Sequence, residues 1–296
     1  MVKVEAMLEL KHLLEKHVQE ENLVLESPIK DFFVYKSTKP TKAKCCRHHE
    51  IYEPGIAILA SGQKRCYVNG HCYDYSAGSY LGVFLPMPVE VEEIKVSPEE
   101  PLLMVAVKMD LGKIAEMLLK LDSIESPKIK DIESAGIFTA PLEEDLLDPV
   151  LRLLRIFDKP TDVAILGENL IEEIYYRVLT SEGVSAIRGL LEHRGQIQQI
   201  SRAVAHINKH LSEAVIIDDL AAKANMSVSH FHKTFKDVMQ MSPLQYAKSM
   251  KLLRAQTFLR EGKKVSQVAY MVGYNSSTQF SREYKRQFGV APSEAN

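Results

Sequence analysis

Two segments near the C-terminal end of the chain, 228–238 and 277–288, carry apolar residues every three or four positions. This spacing places the apolar side chains on one face of a helix and the polar side chains on the other. Both segments therefore predict an amphipathic helix with one buried face. The apolar positions are Phe231, Phe235 and Val238 in the first segment and Phe280, Tyr284 and Phe288 in the second.

The two segments belong to a repeat within residues 220–292. Ser227, Phe231, Phe235, Lys236 and Pro243 recur 49 positions later as Ser276, Phe280, Tyr284, Lys285 and Pro292. A repeat of this kind indicates two copies of one supersecondary unit. Each copy predicts a short helix, a tight turn and a second helix. In a helix-turn-helix unit the second helix enters the major groove of DNA, so the repeat favours a sequence-specific DNA-binding protein.

Capping residues predict where the helices of the two units begin and end. Asp218 is a suitable N-cap for the first helix of the first unit. Asn225 and Gly273 can adopt the left-handed conformation that ends a helix. Ser276 and Gln279 have the spacing of a capping box at the start of the last long helix.

A longer helix is predicted between the two units. Ser242, Pro243 and Gln245 supply an N-cap, a proline at the first helical position and the partner of a capping box. The apolar pattern continues to about Arg260. A helix of this length would fix the spacing of the two recognition helices, which could then enter major-groove segments roughly 34 Å apart.

The N-terminal half changes from helical to strand periodicity. Residues 64–68 and 71–75 flank Asn69-Gly70, a pair that favours a two-residue hairpin turn. Many short strands separated by turns predict a small β-barrel or sandwich over about 26–108. Three apolar runs predict its buried strands: 32–35, 55–59 and 102–107.

Helices are predicted after the barrel, and they could cover the barrel, pair with a second subunit, or do both. A small barrel can also hold one small ligand. We therefore expect residues 1–185 to form a sensing and dimerisation domain, joined by a linker at 186–199 to a DNA-binding domain at 200–296. The predicted helices span about 110–121, 142–158 and 162–180, and the two helix-turn-helix units span about 218–238 and 265–289.

The charge distribution supports this division. The whole chain has a net charge of −2, but residues 196–296 hold 14 Lys and Arg against 7 Asp and Glu, whereas residues 1–195 hold 23 against 32. A basic domain joined to an acidic one suits a DNA-binding module attached to a module that avoids DNA. No apolar stretch reaches the length of a transmembrane helix. Four cysteines without disulfide spacing fit a cytoplasmic protein.

The repeat and its connecting helix resemble the DNA-binding domain of AraC/XylS-type transcriptional regulators. Residues 26–121 resemble the cupin-like N-terminal domain of one AraC-type subfamily, notably around Tyr52-Glu53-Pro54 and Gly62-Gln63-Lys64-Arg65. The resemblance implies an α+β two-domain fold, with an N-terminal cupin-like β-barrel and flanking helices before a C-terminal all-α double helix-turn-helix domain. The matching positions in the DNA-binding domain include Leu220, Ala221, Ala224, Ser227, Phe231, Phe235, Pro243, Val268, Ala269, Gly273, Ser276, Gln279, Phe280, Tyr284 and Gly289.

The resemblance also implies which residues contact double-stranded DNA. Arg and Lys can donate to guanine, and Ser and Thr can pair with several base edges, whereas contacts to phosphates position the protein without specifying sequence. The base-contact candidates are Ser229, His232, Lys233, Ser277, Thr278, Ser281 and Arg282. The phosphate-contact candidates are Lys236, Lys248 and Lys285.

The expected function is a DNA-binding transcriptional regulator controlled by a small-molecule effector in or near the barrel. It would act as a homodimer through helices 142–180, and it would contact RNA polymerase if it is an activator. A regulator that needs no ligand is the first alternative. The second is a thiol or electrophile sensor that uses Cys45 and Cys46, which lie among basic residues that favour thiolate.

Other chemistry finds little support in the sequence. His48, His49 and Glu50 are adjacent, so they lack the His-x-His spacing of metal-binding cupins. Alternation along a strand would direct His48 and His49 to opposite faces. No zinc-type cysteine spacing and no acid, base and nucleophile set is present. We therefore expect no enzymatic activity, no cofactor and no metal.

Overall fold

The computed structural model describes residues 2–18, 24–39, 47–122, 136–181 and 196–295. It confirms the predicted α+β two-domain fold. Within the described residues, the helices of the N-terminal domain are α1 (Val2–His17), α2 (Leu111–Asp122), α3 (Glu144–Ile156) and α4 (Pro160–Thr180). Its strands are β1 (Val24–Glu26), β2 (Phe32–Ser37), β3 (His48–Tyr52), β4 (Gly55–Ser61), β5 (Gln63–Val68), β6 (His71–Ser76), β7 (Ser79–Val83), β8 (Met87–Lys95), β9 (Leu102–Lys108) and β10 (Ile137–Pro141). In the described part of the chain, every helix is too short or too polar to span a bilayer.

The strands form two antiparallel sheets rather than one closed barrel. The six-stranded sheet has the order β1-β2-β9-β4-β7-β10, and the four-stranded sheet has the order β3-β8-β5-β6. The three apolar runs form β2, β4 and β9, as predicted. Strand β10 lies beyond the predicted barrel range because it is only five residues long, too short for a clear alternating pattern. It pairs with β7 at the edge of the larger sheet.

The inner face of the six-stranded sheet carries a row of four apolar side chains. Phe33 pairs with Ala106, Ala106 with Ala57, and Ala57 with Leu81, so these four side chains form one row across four strands. Residues directly opposite in a ladder share a face. The two alanines in the middle of this row leave room between the two sheets.

The other face of the same sheet is covered by helices. Helix α1 packs on β2, β4 and β9, where Val34, Ile58 and Val105 are fully buried. Helix α3 packs on both α1 and α4. The guanidinium of Arg155 in α3 donates two hydrogen bonds of 2.7 Å to Glu9 in α1. Of the helices predicted after the barrel, α3 is therefore joined to the sheet through α1, and α4 packs on α3.

The predicted hairpin is confirmed, together with its register. Asn69 and Gly70 have φ values of 47° and 88°, which is the positive φ pair of a type I′ turn. Cys66 pairs with Tyr73, and Tyr67 pairs with Cys72. Cys66 is buried and Cys72 is exposed, so the two thiols project to opposite faces, as predicted.

The C-terminal domain contains the two helix-turn-helix units in the predicted order. Asn225 (φ 52°) and Gly273 (φ 83°) occupy the left-handed positions that end the first helix of each unit. The first helix, α5, begins four residues before the predicted start of this domain at 200. The helices are α5 (Gln196–Lys209), α6 (Ile217–Lys223), α7 (Val228–Met239), α8 (Pro243–Arg260), α9 (Val265–Met271) and α10 (Ser277–Phe288), followed by a 3-10 helix at Pro292–Glu294.

Two capping predictions need correction. Asp218 is not an N-cap, because α6 begins after Ile216 and Asp218 lies in its first turn. There its carboxylate still interacts favourably with the helix dipole. At α10, Ser276 accepts from the backbone N–H of Gln279 as predicted. The side chain of Gln279 instead donates to Glu283 at 3.4 Å, so only half of the capping box forms.

The capping box at the start of α8 forms completely. The Ser242 hydroxyl accepts from the backbone N–H of Gln245 at 3.3 Å, and the Gln245 side chain accepts from the backbone N–H of Ser242 at 3.0 Å. Helix α8 contacts α7, α9 and α10. It therefore connects the two recognition helices directly.

We expect Gly273→Ala to destabilise the protein by roughly 2–4 kcal/mol. Gly273 has a φ of 83°, and a Cβ there would lie 2.1 Å from the carbonyl oxygen of Ser212. The substitution would therefore add a backbone clash to the strain of a left-handed residue. Urea unfolding followed by circular dichroism measures the change.

Gly262→Ala is the matched control, because Gly262 has a φ of 80° but no atom within 4 Å of the added Cβ. It should cost only about 1 kcal/mol, the conformational part alone. Equal losses in the two variants would contradict the role of the contact with Ser212.

Candidate DNA-binding surface and ligand cavity

The recognition helix of the first unit is α7. Phe231 and Phe235 are fully buried beneath it, and Ser227 caps it by accepting from the backbone N–H of His230 at 3.4 Å. The base-contact candidates project from its opposite side. All three are exposed: Ser229, His232 and Lys233.

The recognition helix of the second unit is α10. Phe280 and Tyr284 are fully buried on one side, and Thr278 and Arg282 are exposed on the other. Ser277 and Ser281 are half-buried, and the Ser281 hydroxyl donates to the Ser277 carbonyl at 2.8 Å. Among the candidates on this helix, Arg282 and Thr278 therefore have the most accessible hydrogen-bond donors.

The phosphate-contact candidates fall into two places. Lys236 and Lys285 are exposed on the recognition helices. Lys248 is half-buried on α8, with its ammonium 4.0 Å from Glu283, and it lines a crevice between the two domains. Lys248 is therefore the least exposed of the three lysines.

The first recognition helix is held at its C-terminal end by the N-terminal domain. The Asn69 side chain, at the hairpin turn, donates to the backbone carbonyl of Gln240 at 2.8 Å. The backbone N–H of Gly136 donates to the carbonyl of Val238, also at 2.8 Å. At the start of α8, the Tyr246 hydroxyl donates to the carbonyl of Pro86 at 3.1 Å. These bonds fix α7 and α8 to the four-stranded sheet and its neighbouring loops.

The second recognition helix contacts the same sheet. The ring of His49, on the outer face of β3, lies 4.9 Å from the ring of Phe288 at the end of α10, in an edge-on arrangement. Tyr67 and Glu90 of the outer face line the crevice opposite Arg286. The outer face of the four-stranded sheet is therefore the docking surface of the DNA-binding domain.

A cavity of about 410 Å³ lies on the inner side of the sheets. This volume is within the range of small-molecule sites. Its wall is mainly apolar, and its polar side chains come chiefly from the four-stranded sheet. The apolar lining includes Ile51, Ile56, Ala57, Leu81, Val83, Met104 and Ala106, and the polar lining includes Tyr35, Glu50, Tyr52 and Lys64.

The polar groups of the cavity interact with one another. His48 Nε2 lies 2.8 Å from Glu50 Oε1, and the hydroxyls of Tyr52 and Tyr75 are 3.4 Å apart. Burial opposes the charge of Glu50, but the hydrogen bond with His48 and the positive charges of Lys64 and Arg260 outweigh it, so the pKa of Glu50 is lowered. Burial raises the pKa of Tyr52 well above its usual value, which keeps its hydroxyl neutral.

Lys64 is the cation of this cavity. Burial opposes its charge, but Tyr75 and the carboxylates of Glu50 and Glu93 favour it, and the balance raises the pKa of Lys64. The ammonium is therefore charged at neutral pH. In the sequence, Lys64 belongs to a segment that resembles the AraC-type N-terminal domain, and it is not among the predicted site residues. The sequence does contain a signal that the Lys64 side chain is buried, because alternation along the strand places Lys64 on the same face as the apolar residues Cys66 and Val68.

The thiol candidates Cys45 and Cys46 lie outside the described residues. Of the cysteines that are described, Cys66 is fully buried on the inner face, and burial raises its pKa to about 12. A thiol with this pKa is almost wholly protonated at neutral pH and a poor nucleophile. No group of three or more metal-ligating side chains occurs within the ranges that the structure covers.

Comparison with known proteins identifies the family. Residues 28–186 match the family model of the AraC-type transcriptional regulator N-terminus, and residues 220–296 match a helix-turn-helix domain model. The first match alone covers more than half of the chain. The chain belongs to the AraC-type transcriptional regulators. It is a DNA-binding transcriptional regulator, as the repeat predicted.

Relatives of this regulator match it to different extents. The thermoregulatory protein LcrF of Yersinia pestis is 23% identical over 256 residues, which are 83% of this chain and 90% of LcrF. The probable transcriptional regulator LumQ of Photobacterium leiognathi is 32% identical over 88 residues, which are 29% of this chain and 36% of LumQ. This chain thus spans about a third of LumQ but nearly all of LcrF.

Solved structures of ToxT from Vibrio cholerae share the two-domain fold. ToxT bound to (E)-4-(8-methylnaphthalen-1-yl)but-3-enoic acid superposes with a TM-score of 0.56 at 14% identity, over 90% of this chain and 98% of ToxT. ToxT bound to an unsaturated fatty acid superposes with a TM-score of 0.53 at 14% identity, over 94% and 96% of the two chains. At this identity the similarity establishes the fold alone.

We expect Lys233→Ala and Arg282→Ala each to weaken binding to the regulator's own operator by about 1–3 kcal/mol. Both side chains are exposed on recognition helices, where they can donate to guanine edges. Fluorescence anisotropy with operator and scrambled duplexes at fixed salt measures the loss and its sequence dependence.

Lys159→Ala is the control, because Lys159 is an exposed lysine of the N-terminal domain, far along the chain from both recognition helices. It should leave operator affinity unchanged. If the two variants bound operator and scrambled DNA as the unaltered protein does, these residues would have no part in base recognition.

Proposed function

We propose that this AraC-type regulator binds its operator under the control of a small molecule held in the N-terminal cavity. The observation that carries the proposal is the position of the four-stranded sheet. Its inner face lines the cavity through Glu50 and Lys64, and its outer face contacts the DNA-binding domain through His49. A ligand that moves this sheet changes the docking surface of both recognition helices.

Three contacts support a path from the cavity to the recognition helices. Glu50 and His49 are neighbours on β3 and face opposite sides of the sheet. Asn69, at the turn of β5 and β6, bonds to Gln240 at the end of α7. Strand β5 also carries Lys64 into the cavity. Each recognition helix therefore contacts an element that also contributes to the cavity.

The fold comparison is consistent with a ligand-controlled regulator, since two ToxT structures of this fold hold organic acids. The apolar wall and its few convergent polar groups are typical of ligand sites. These features favour ligand control over a regulator that needs no ligand. The buried, protonated thiol of Cys66 gives no support to a thiol sensor at this position.

The test begins with selection of genomic DNA fragments by the purified full-length protein, which supplies the operator. Operator affinity is then measured with and without a low-molecular-mass extract of the source cells. The extract should change the affinity by several fold. An affinity that stays constant under extracts from all growth conditions would favour the ligand-independent alternative.

We expect Ala57→Leu to abolish the response to the extract while basal operator affinity stays within about twofold, since the added side chain reduces the cavity but lies far from DNA. Ala57 stands opposite Ala106 and Leu81 in the row that lines the cavity, so the added carbon atoms occupy ligand space. Anisotropy titrations of operator DNA with and without extract measure the response.

Ala77→Leu is the matched control, because Ala77 is exposed in the turn before β7 and does not line the cavity. It should keep the full response. A normal response from Ala57→Leu would exclude this cavity as the site of the effector.

We infer further that the regulator is a homodimer through α3 and α4, within residues 142–180. Helix α4 buries Leu170, Ile171 and Ile174 against its own domain. On another side it exposes Ile165 (68%) and Leu166 (44%). Large apolar residues clustered on an exposed helix face are typical of an interface.

We expect the double substitution Ile165→Glu and Leu166→Glu to convert a dimer into a monomer at micromolar concentration. Two carboxylates in an apolar interface would remain unpaired and desolvated, which opposes association. Sedimentation velocity measures the mass. Ile216→Glu, at an exposed position of the other domain, is the control and should remain dimeric. A wild-type protein that sediments as a monomer would contradict the inference.

A further inference from the structure

The ammonium of Lys64 is the unexplained group of the N-terminal cavity. Its side chain is only 5% exposed and it lines the cavity. Within the described ranges, no acceptor forms a hydrogen bond or ion pair with Lys64 Nζ, and the centroid of the Tyr52 ring lies 5.9 Å from it. A buried charge without a hydrogen bond is costly, so a lysine in this position is suited to a ligand that supplies the acceptor.

The two neighbouring carboxylates, Glu50 and Glu93, do not remove this requirement. Glu50 is committed to His48 at 2.8 Å, and its charge also interacts with Arg260 of the DNA-binding domain. Its side chain is 41% exposed, whereas that of Lys64 is almost wholly buried. Glu50 and Glu93 therefore favour the charge of Lys64 through space and leave the donor hydrogens of the ammonium unused.

The apolar lining of the cavity determines which body the ligand needs in addition to a group that accepts from Lys64. Ala57, Leu81, Val83, Met104 and Ala106 form an apolar wall, and apolar surface contributes affinity in proportion to the area that it removes from water. A ligand that matches both the Lys64 ammonium and the apolar wall has one anionic oxygen group and an apolar body.

We propose that the cavity binds a monoanionic amphipathic organic acid, with its carboxylate on Lys64 Nζ and its apolar body between the two sheets. This inference rests on the proposed function for its regulatory role, because it names the chemical class of the effector. It assigns Lys64 as the residue that determines specificity. Glu50 is the opposing charge, which limits the affinity for any second negative group.

The experiment uses three probes of equal chain length, octanoate, 1-octanol and octylamine, in isothermal titration calorimetry with the full-length protein. Octanoate should bind roughly tenfold or more tightly than 1-octanol, which is the advantage expected for a hydrogen bond between charged groups. Octylamine should bind more weakly than either, because its charge repels Lys64. Octanoate that binds no more tightly than 1-octanol would overturn the proposal, as would the absence of heat with all three probes.

Two variants report on the two charges. Lys64→Met keeps the length of the side chain and should lower the affinity for octanoate about tenfold or more, with 1-octanol nearly unaffected. Glu50→Gln should strengthen octanoate binding, because a like charge is removed from beside the carboxylate. Equal losses of octanoate and 1-octanol in Lys64→Met, or unchanged octanoate binding, would contradict the assignment. The comparison of probes in the unaltered protein does not depend on whether a variant folds.

Operator affinity measured with the same probes separates this inference from the proposed function. Octanoate binding that depends on Lys64 but leaves operator affinity unchanged supports the acid site and contradicts effector control. Binding of 1-octanol in preference to octanoate, with a change in operator affinity, supports effector control and overturns the acid class.

Discussion

The packing of both domains depends on one sheet of four strands, β3-β8-β5-β6. Because successive side chains of a strand point to opposite faces, each strand supplies residues to two different environments. On β3, Glu50 lines the cavity while His49 contacts Phe288 of the second recognition helix. On β5, Lys64 enters the cavity while Tyr67 lines the crevice beneath α8 and α10. A single layer of backbone separates the cavity from the DNA-binding domain, and under the proposed function its ladder hydrogen bonds would transmit displacements between them.

The DNA-binding domain adds a second constraint, since its two units are linked by α8. The capping box of Ser242 and Gln245 fixes the start of this helix, and the Tyr246 hydroxyl ties it to Pro86 of the N-terminal domain. The first unit shares a continuous apolar core with the N-terminal domain, whereas the second unit has its own core around Phe280 and Tyr284. A movement of the sheet therefore acts most directly on the first unit and reaches the second through α8 and His49.

The sequence predicted the elements with strong local signals and missed those that depend on tertiary contacts. The repeat around Phe231 and Phe280 and the Asn69-Gly70 turn specify structure within a few residues, so the helix-turn-helix units and the hairpin register were predicted correctly. Strand β10 is short and stabilised by its pairing with β7, which no local pattern reveals. Lys64 is not predicted as a site residue because its chemistry arises from burial against another strand, and its alternation with the buried Cys66 and Val68 is the one local signal of that burial. The prediction of Asp218 as an N-cap was wrong because α6 begins directly after Ile216, although Asp218 is the better capping residue.

Hydrogen exchange of the full-length protein, with and without operator DNA, tests the shared role of the sheet most directly and needs no knowledge of the effector. Thermodynamic linkage is reciprocal, so a cavity that influences DNA binding must itself respond when DNA binds. The account predicts changed protection of backbone amides in β3, β5 and β8 in addition to protection of α7 and α10. Protection confined to α7, α10 and their flanking turns, with the sheet unchanged, would contradict it.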